Sequence, residues 1–286
     1  MNLRQLKTKI RSIQNVGQIT KAMQLVSAVK MKKAQQKAIA GKPYRDALTK
    51  TIANLAQSAA LSANPLAVAD KNAKRELVII VSSNKGLCGV FNYNLLKHIH
   101  AVVQNKTDNF DSIVVGQKAQ QFLVRYGVSI IADFSKDLPF ESNVSALFRI
   151  ARKEFLLGRY ARVSIVYNRF VSSLVYEPTR EVLLPLSEVA VPATAPEENE
   201  LRDYVIEPEL NEVLESIFNF YIEHKIRGAI YESEASEHSA RMIAMKNATD
   251  NAHELVHDMT LLRNSLRQER ITNELLDMNT ARLAVS

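Results

Sequence analysis

A chain of 286 residues, 47% hydrophobic and 23% charged, holds apolar material for one or two packed cores and is globular, not disordered. Its one cysteine, Cys88, excludes an internal disulfide and a thiolate metal cluster and points to a reducing compartment. The net charge of +7 is uneven: Met1 to Lys50 carries twelve lysines and arginines against one acid, Asp46, which calls for an acidic partner.

The N-terminal stretch reads as a long helix. Leu3, Leu6, Ile10, Ile13, Val16, Ile19, Met23 and Val26 recur every three or four residues, a coiled-coil seam with one irregular step at Val16–Ile19. The stretch is amphipathic, basic and acid-poor like a mitochondrial transit peptide, yet its apolar repeat runs on beyond a cleavable leader. A DNA-gripping basic region has no seam, whereas here seam and basic stretch coincide. From Arg4 to Lys42 no tyrosine or phenylalanine is interleaved with the basic residues, which argues against single-strand binding too. Gly41-Lys42-Pro43 predicts a bend, after which Tyr44 to Ser58 resumes the helix.

A different pattern comes next. Glu76–Ser82, Asp111–Gly116, Val128–Phe134 and Arg162–Asn168 are short β-branched runs, and Leu174–Leu184 adds a candidate strand. Helical patterns alternate with them at Asn92–Gln104, Gln117–Tyr126 and Asn143–Leu157. Strand–helix repetition predicts a mostly parallel sheet covered on both faces. The longest aliphatic run, Leu77 to Val81, is too short to span a bilayer. Pro185 to Pro208, rich in proline and acid, reads as a surface connection.

From Glu209 to Ser286 there is no proline, and the last glycine is Gly228. Helix formers dominate, so one helix on the order of 110 Å is expected at ~1.5 Å per residue. The predicted architecture is α/β: a long antiparallel coiled coil of the N- and C-terminal helices with an inserted Rossmann-like α/β domain. Its parts are an N-terminal helix over 1–60, bent near 41–43, an α/β domain over 75–208, and a C-terminal helix over 209–286.

Several motifs suggest chemistry. His253-Glu254-Leu255-Val256-His257 is H-E-x-x-H, the zinc-protease pattern, with Glu274 as a candidate third ligand. The seam of the last helix, read as Met245, Ala248, Ala252, Leu255, Met259, Leu262 and Leu266, turns both histidines and Glu254 outward. Glu274 lies on the same uninterrupted helix, roughly 25 Å from His257. Zinc–ligand bonds are about 2 Å, so the set cannot close on one ion. Ser83-Asn84-Lys85-Gly86-Leu87-Cys88-Gly89 occupies the strand-to-helix turn where phosphate loops sit. It carries only G-x-x-G, which favours tight packing over a nucleotide. Cys88 has no histidine-and-acid arrangement assignable to it, and His98 and His100, two apart on a helix, point to different faces. No active site emerges.

Three stretches together are diagnostic: LRQLKTKIRSIQNVGQITKAMQLVSAVKMKK from Leu3, SSNKGLCGVFN from Ser82, and SEASEHSARMIAMKNATDNAHEL from Ser233. The combination resembles the gamma-subunit family of F-type ATP synthases, in order and over the whole length. The resemblance implies a non-catalytic rotor: a helical shaft inside a ring of alpha and beta subunits, and a Rossmann-like foot against the epsilon subunit and the c-ring. Such a rotor couples proton-driven c-ring rotation to ATP synthesis or hydrolysis in beta. It implies no cofactor, no metal and no nucleic acid, and membrane contact only through the c-ring. By motif, beta contacts are expected at Lys21 and Met23 in ITKAM and at Arg267, Gln268 and Thr272 in RQERITNE, and c-ring contacts at Ile206 and Glu207. The end departs from the family, because Arg282 stands where small apolar residues are usual. A lone cysteine also rules out the paired-thiol switch of the chloroplast type. The Met1 start and the lack of a leader suggest the cytoplasmic face of a bacterial inner membrane.

Overall fold

The computed structural model describes residues 3–55, 64–70, 73–104, 110–189 and 210–285. Helix α1 (Leu3–Leu55) opens the chain and stays helical through Pro43, so Tyr44 needs no new helix start. After it come β1 (Arg75–Val81), α2 (Phe91–Gln104), β2 (Phe110–Val115), α3 (Gln117–Arg125), β3 (Ile130–Asp133), a 3-10 turn (Phe140–Asn143), α4 (Val144–Leu156), β4 (Tyr160–Phe170), β5 (Tyr176–Leu184) and a short α5 (Leu186–Val189). Helix α6 (Leu210–Val285) closes the chain with 76 residues. Among the described residues no helix is long and apolar enough to cross a membrane.

The chain divides by contact into two compact units, Val29–Ala240 and Met1–Ala28 with Arg241–Ser286. Both boundaries fall inside long helices.

The larger unit holds a five-stranded sheet in the order β3-β2-β1-β4-β5. Strands β1 to β4 pair in parallel, and β5 pairs with β4 antiparallel. The strand expected from Leu174 starts at Tyr176, because Ser172 Oγ accepts the N–H groups of Leu174 and Val175 and closes a tight hairpin turn. All six residues of β2 are buried, as expected where both faces of a parallel sheet are covered. One face packs Leu77, Ile79, Ile113, Val163 and Ile165 against α4 and the first turns of α6, including Leu214, Phe218 and Ile222. The other packs Val78, Ile80, Val114 and Val166 against Leu95 and Ile99 of α2 and Ala119 and Leu123 of α3.

The stretch expected to leave the surface at Pro185 begins inside instead. Pro185 and Leu186 are buried, and the amides of Leu186 and Ser187 donate to the carbonyls of Leu66 (3.0 Å) and Ala67 (3.2 Å). Burying Leu186 in the main core outweighs the loop-like composition of the stretch as a whole. Its remainder, from residue 190 to 208, lies outside the described residues.

The smaller unit is a helix pair. Thr20 Oγ1 and Thr249 Oγ1 share a 2.7 Å hydrogen bond, and a Cβ on Gly17 would lie 3.4 Å from that of Ala252. Rising numbers on α1 therefore meet falling numbers on α6, and the two run antiparallel.

The seam differs from the predicted one. On α1 the enclosed line is Leu6, Ile10, Ile13, Gly17, Thr20, Gln24 and Ser27, spaced 4, 3, 4, 3, 4, 3. Val16, Ile19 and Val26, expected on the seam, are 49%, 60% and 55% exposed. On α6 the line is Met245, Thr249, Ala252, Val256, Met259, Arg263 and Leu266, while Leu255 and Leu262 face out. Small residues win the interior because they let two backbones approach closely, with each threonine hydroxyl satisfied by its neighbour's and by a carbonyl of its own helix.

Candidate interaction surfaces

In an open parallel sheet a ligand crevice is expected outside the strand ends where the order reverses, here between β1 and β4. In this protein that place is filled. Phe91 and Cys88, 0% and 2% exposed, pack on Ala240 of α6. Asn168 Nδ2 donates to the Phe91 carbonyl (3.2 Å), and Ser236 Oγ to the Asn168 carbonyl (3.1 Å). Ser239 Oγ donates to the Ser173 carbonyl. A serine- and alanine-rich face of α6 thus plugs the crevice.

The loop after β1 leads into α2 but is tied to the head of the neighbouring α3. The amides of Gln117, Lys118 and Ala119 at the head of α3 donate to Asn84 Oδ1 (2.8 Å), the Ser83 carbonyl (3.1 Å) and Ser82 Oγ (2.9 Å). Gly116 makes this approach possible: its φ is 100°, and a Cβ there would sit 2.2 Å from the Ser82 carbonyl oxygen. The loop after β1 is a packing device that uses up the donors at the head of α3. Cys88, closed in beside Asn92 Nδ2 at 3.2 Å, is not presented to any substrate.

His253, Glu254 and His257 are all exposed. The helix carrying them runs unbroken to Val285, so Glu274 cannot turn back toward them, and it pairs with Arg270 instead (2.8 Å). Among the described residues no group of three potential ligands lies close enough to hold a metal. His100 meets Tyr126 at a tilt, with ring centroids 5.0 Å apart, and Phe122 edge-on, an aromatic packing role.

A cleft of about 580 Å³ in the larger unit is lined by Lys42, Arg45, Arg169 and Lys225 against Asp46, Glu181 and Glu232. Burial pushes the Glu181 carboxyl up, but Lys225 and the Tyr167 hydroxyl beside it (2.7 Å) outweigh this and hold it below the usual carboxylate range. The four cations of the cleft thus face three carboxylates. Nearby, burial first, and then Glu237 and Glu141, push Glu234 up to about 7, despite Lys37 and Lys30. Lys37 spends its charge on Glu141, to which it donates, and so holds that carboxyl down.

The expected contact residues fall into two separate girdles of the smaller unit. Lys21 is exposed, donating to Gln24 Oε1 at 3.3 Å, and Met23 is half-buried. Arg267, Gln268 and Thr272 are exposed, and the Thr272 hydroxyl is spent on the Gln268 carbonyl (3.0 Å). Thr20 is level with Thr249, so Gln268 stands nineteen residues further on, roughly 28 Å along the axis. Ile206 and Glu207 lie outside the described residues.

Sequence reasoning missed the larger feature. Val16, Ile19, Leu25 and Val26 present aliphatic side chains outward. Every residue from 271 to 280 is exposed, with Ile271, Leu275, Leu276 and Met278 bare on a lone helix. The signal was present in the irregular step at Val16–Ile19: a seam that keeps strict 4–3 spacing passes through Gly17 and Thr20 instead.

A family model described as ATP synthase matches residues 2–285. An ATP synthase gamma chain of Dehalococcoides mccartyi is 38% identical over 282 residues, covering 97% of this chain and 96% of the relative. One from Methylacidiphilum infernorum is 37% identical over 298 residues, covering 99% and 98%. Among solved structures, a chain of the Euglena gracilis mitochondrial ATP synthase superposes with a TM-score of 0.68 at 19% identity, covering 99% of this chain and 94% of that one. A chain from the central stalk and c-ring of the Tetrahymena thermophila mitochondrial ATP synthase gives 0.61 at 23% identity, covering 80% and 99%.

Proposed function

The chain belongs to the ATP synthase gamma-chain family, a non-catalytic stalk subunit, and from that premise we propose that it turns as the central shaft of a proton-translocating F-type enzyme. Rotation of the c-ring reaches the catalytic beta subunits through it. The observation that carries this reading is the middle of the helix pair, where Gly17, Thr20, Thr249 and Ala252 are inside while the aliphatic Val16, Ile19 and Val26 are outside. A helix pair that stood alone in water would bury Val16, Ile19 and Val26 first. Leaving them bare fits a surface made to slide against apolar walls.

The mechanism comes from symmetry. A ring of alternating alpha and beta subunits has near three-fold symmetry, and a two-helix shaft has none. Each beta subunit therefore meets a different face, and rotation presents the faces in turn. Moving one beta subunit from 1:99 to 99:1 between open and closed states takes a contact difference of about 5.5 kcal/mol. Charge-assisted hydrogen bonds contribute ~1.5–3 kcal/mol each, so a few suffice. Lys21 and Met23 form one girdle and Arg267, Gln268 and Thr272 the other, each addressing beta at its own height. The bases of α1 supply charge for acidic beta loops. Ile206 and Glu207 are assigned to the c-ring, and the α/β domain over 75–208 to the foot beside epsilon, with the helices over 1–60 and 209–286 as the shaft. In this reading the protein is peripheral, held through the c-ring at the cytoplasmic face of a bacterial plasma membrane.

The test is a Gln268→Cys variant assembled with a beta subunit carrying a cysteine opposite. Cross-linking should stop ATP turnover, and reduction should restore it. Full cross-linking with unimpeded turnover would overturn the proposal.

A further inference from the structure

The two girdles of expected beta contacts stand on different helices. Lys21 and Met23 belong to α1, and Arg267, Gln268 and Thr272 to α6. Their separation, roughly 28 Å, is therefore a property of neither helix. It depends on the register in which α1 lies against α6. Whatever fixes that register fixes the two heights at which the shaft addresses a beta subunit.

The seam beside Lys21 packs closely but interlocks poorly. A Cβ on Gly17 would lie 3.4 Å from that of Ala252, yet neither residue offers a knob that seats in the opposite helix. One turn on, the contact is directional. Thr20 and Thr249, 9% and 4% exposed, share a hydrogen bond of 2.7 Å. Each hydroxyl also reaches a carbonyl of its own helix, Thr20 that of Gly17 (3.0 Å) and Thr249 that of Met245 (2.8 Å). Those two contacts survive any slide of one helix along the other. Only the bond between the threonines senses the register. A slip of one heptad displaces the helices by roughly 10 Å. In one direction it sets Thr20 against Met242 and Thr249 against Ile13. In the other, Thr249 finds Ser27, but Thr20 meets Val256 and Gly17 meets Met259, which is too long for so close an approach.

We propose that Thr20 and Thr249 are positioning residues for torque transmission. Their bond pins α1 to α6 and holds the Lys21 and Gln268 girdles at the spacing a beta subunit requires. The proposal rests on the shaft reading and names the residues that keep its two contact levels in phase. Specifying register is the best-attested use of a buried polar pair in a coiled coil. Thr20 directly precedes Lys21, so almost no helix lies between the lock and the girdle it places.

Two double variants separate register from stability. T20V/T249V keeps the shape of both side chains and removes both hydroxyls. T20S/T249S keeps the hydroxyls and removes two buried methyl groups. In denaturant unfolding of the full chain the Val pair should equal or exceed the unaltered protein, and the Ser pair should fall below it. Register should rank the other way. Lys7 is level with Leu262, so spin labels on Lys7→Cys and Asn247→Cys, both exposed, lie roughly 22 Å apart along the axis. They are introduced in a Cys88→Ala background. One narrow distance is expected in the parent and in the Ser pair, and a second, from helices displaced by roughly 10 Å, in the Val pair. In the assembled enzyme in vesicles, protons pumped per ATP hydrolysed should drop in the Val pair and hold in the Ser pair. Coupling that follows stability, with the Ser pair the poorer, overturns the proposal. So does a Val pair that keeps the single distance or full pumping. The Gln268→Cys cross-link is scored independently, so a failed register lock leaves the shaft reading to its own test.

Discussion

The two units of this protein differ in what they bury. In the larger, aliphatic and aromatic residues go inside: Phe218, Ile222, Leu77 and Ile79 are 0% exposed. In the smaller, Gly17, Thr20, Ser27, Thr249 and Ala252 share the inside with Leu6, Ile10 and Met245, while Val16, Ile19, Leu25 and Val26 are left to solvent. The first arrangement stabilises a domain by itself. The second gives up apolar burial within the chain and makes that surface available to surrounding subunits, which is what a shaft needs.

The largest effect is expected from truncating the self-sufficient core. Phe218→Ala should cost about 3–5 kcal/mol in denaturant unfolding of the isolated chain. A smaller loss would mean that this core is looser than its burial implies. Next, Gly17→Leu forces a side chain into the 3.4 Å gap toward Ala252 and should cost about 2–3 kcal/mol of helix-pair stability. Hydrogen exchange localised to residues 3–28 would register it, and unchanged protection there would contradict the close approach.

Glu234 offers a pH test. Its folded pKa, near 7, lies above the unfolded value. The folded state therefore holds this proton more tightly, and stability falls as pH rises from about 4.5 to about 7. Glu234→Gln should gain about 1–2 kcal/mol at pH 8, discounted for partial exposure, and almost nothing at pH 4. Equal gains at both pH values would remove ionisation as the cause. The smallest effect is expected from Val16→Ser with Ile19→Ser: within about 0.5 kcal/mol in the isolated chain, but with reduced coupling of ATP hydrolysis to rotation in the assembled enzyme. A large loss in the isolated chain would place both residues on a seam after all.

Much of the architecture was legible in the residues. Strand β1 was expected at Glu76–Ser82 and lies at Arg75–Val81; α3 was expected at Gln117–Tyr126 and lies at Gln117–Arg125. Such segments are short, strongly patterned and bounded by turns, so local chemistry suffices. The family was legible as well, because ITKAM and SEHSARMIAMKNATDN are specific strings. The interior of the helix pair was misread because apolar periodicity marks every face that avoids water, whether the cover is the chain itself or another subunit. Val16 and Ile19 look like core on that criterion, and Gly17 and Thr20 do not.

Sequence alone therefore determined the element order, the length of the closing helix and the outward turn of His253 and His257, since those depend only on helix and strand periods within one segment. Tertiary structure alone decided which residues fill the crevice at the end of β4, that Pro185 and Leu186 return to the core, and which side of α1 meets α6. Those outcomes depend on how near two distant backbones come, and that distance is set by the smallest side chains between them.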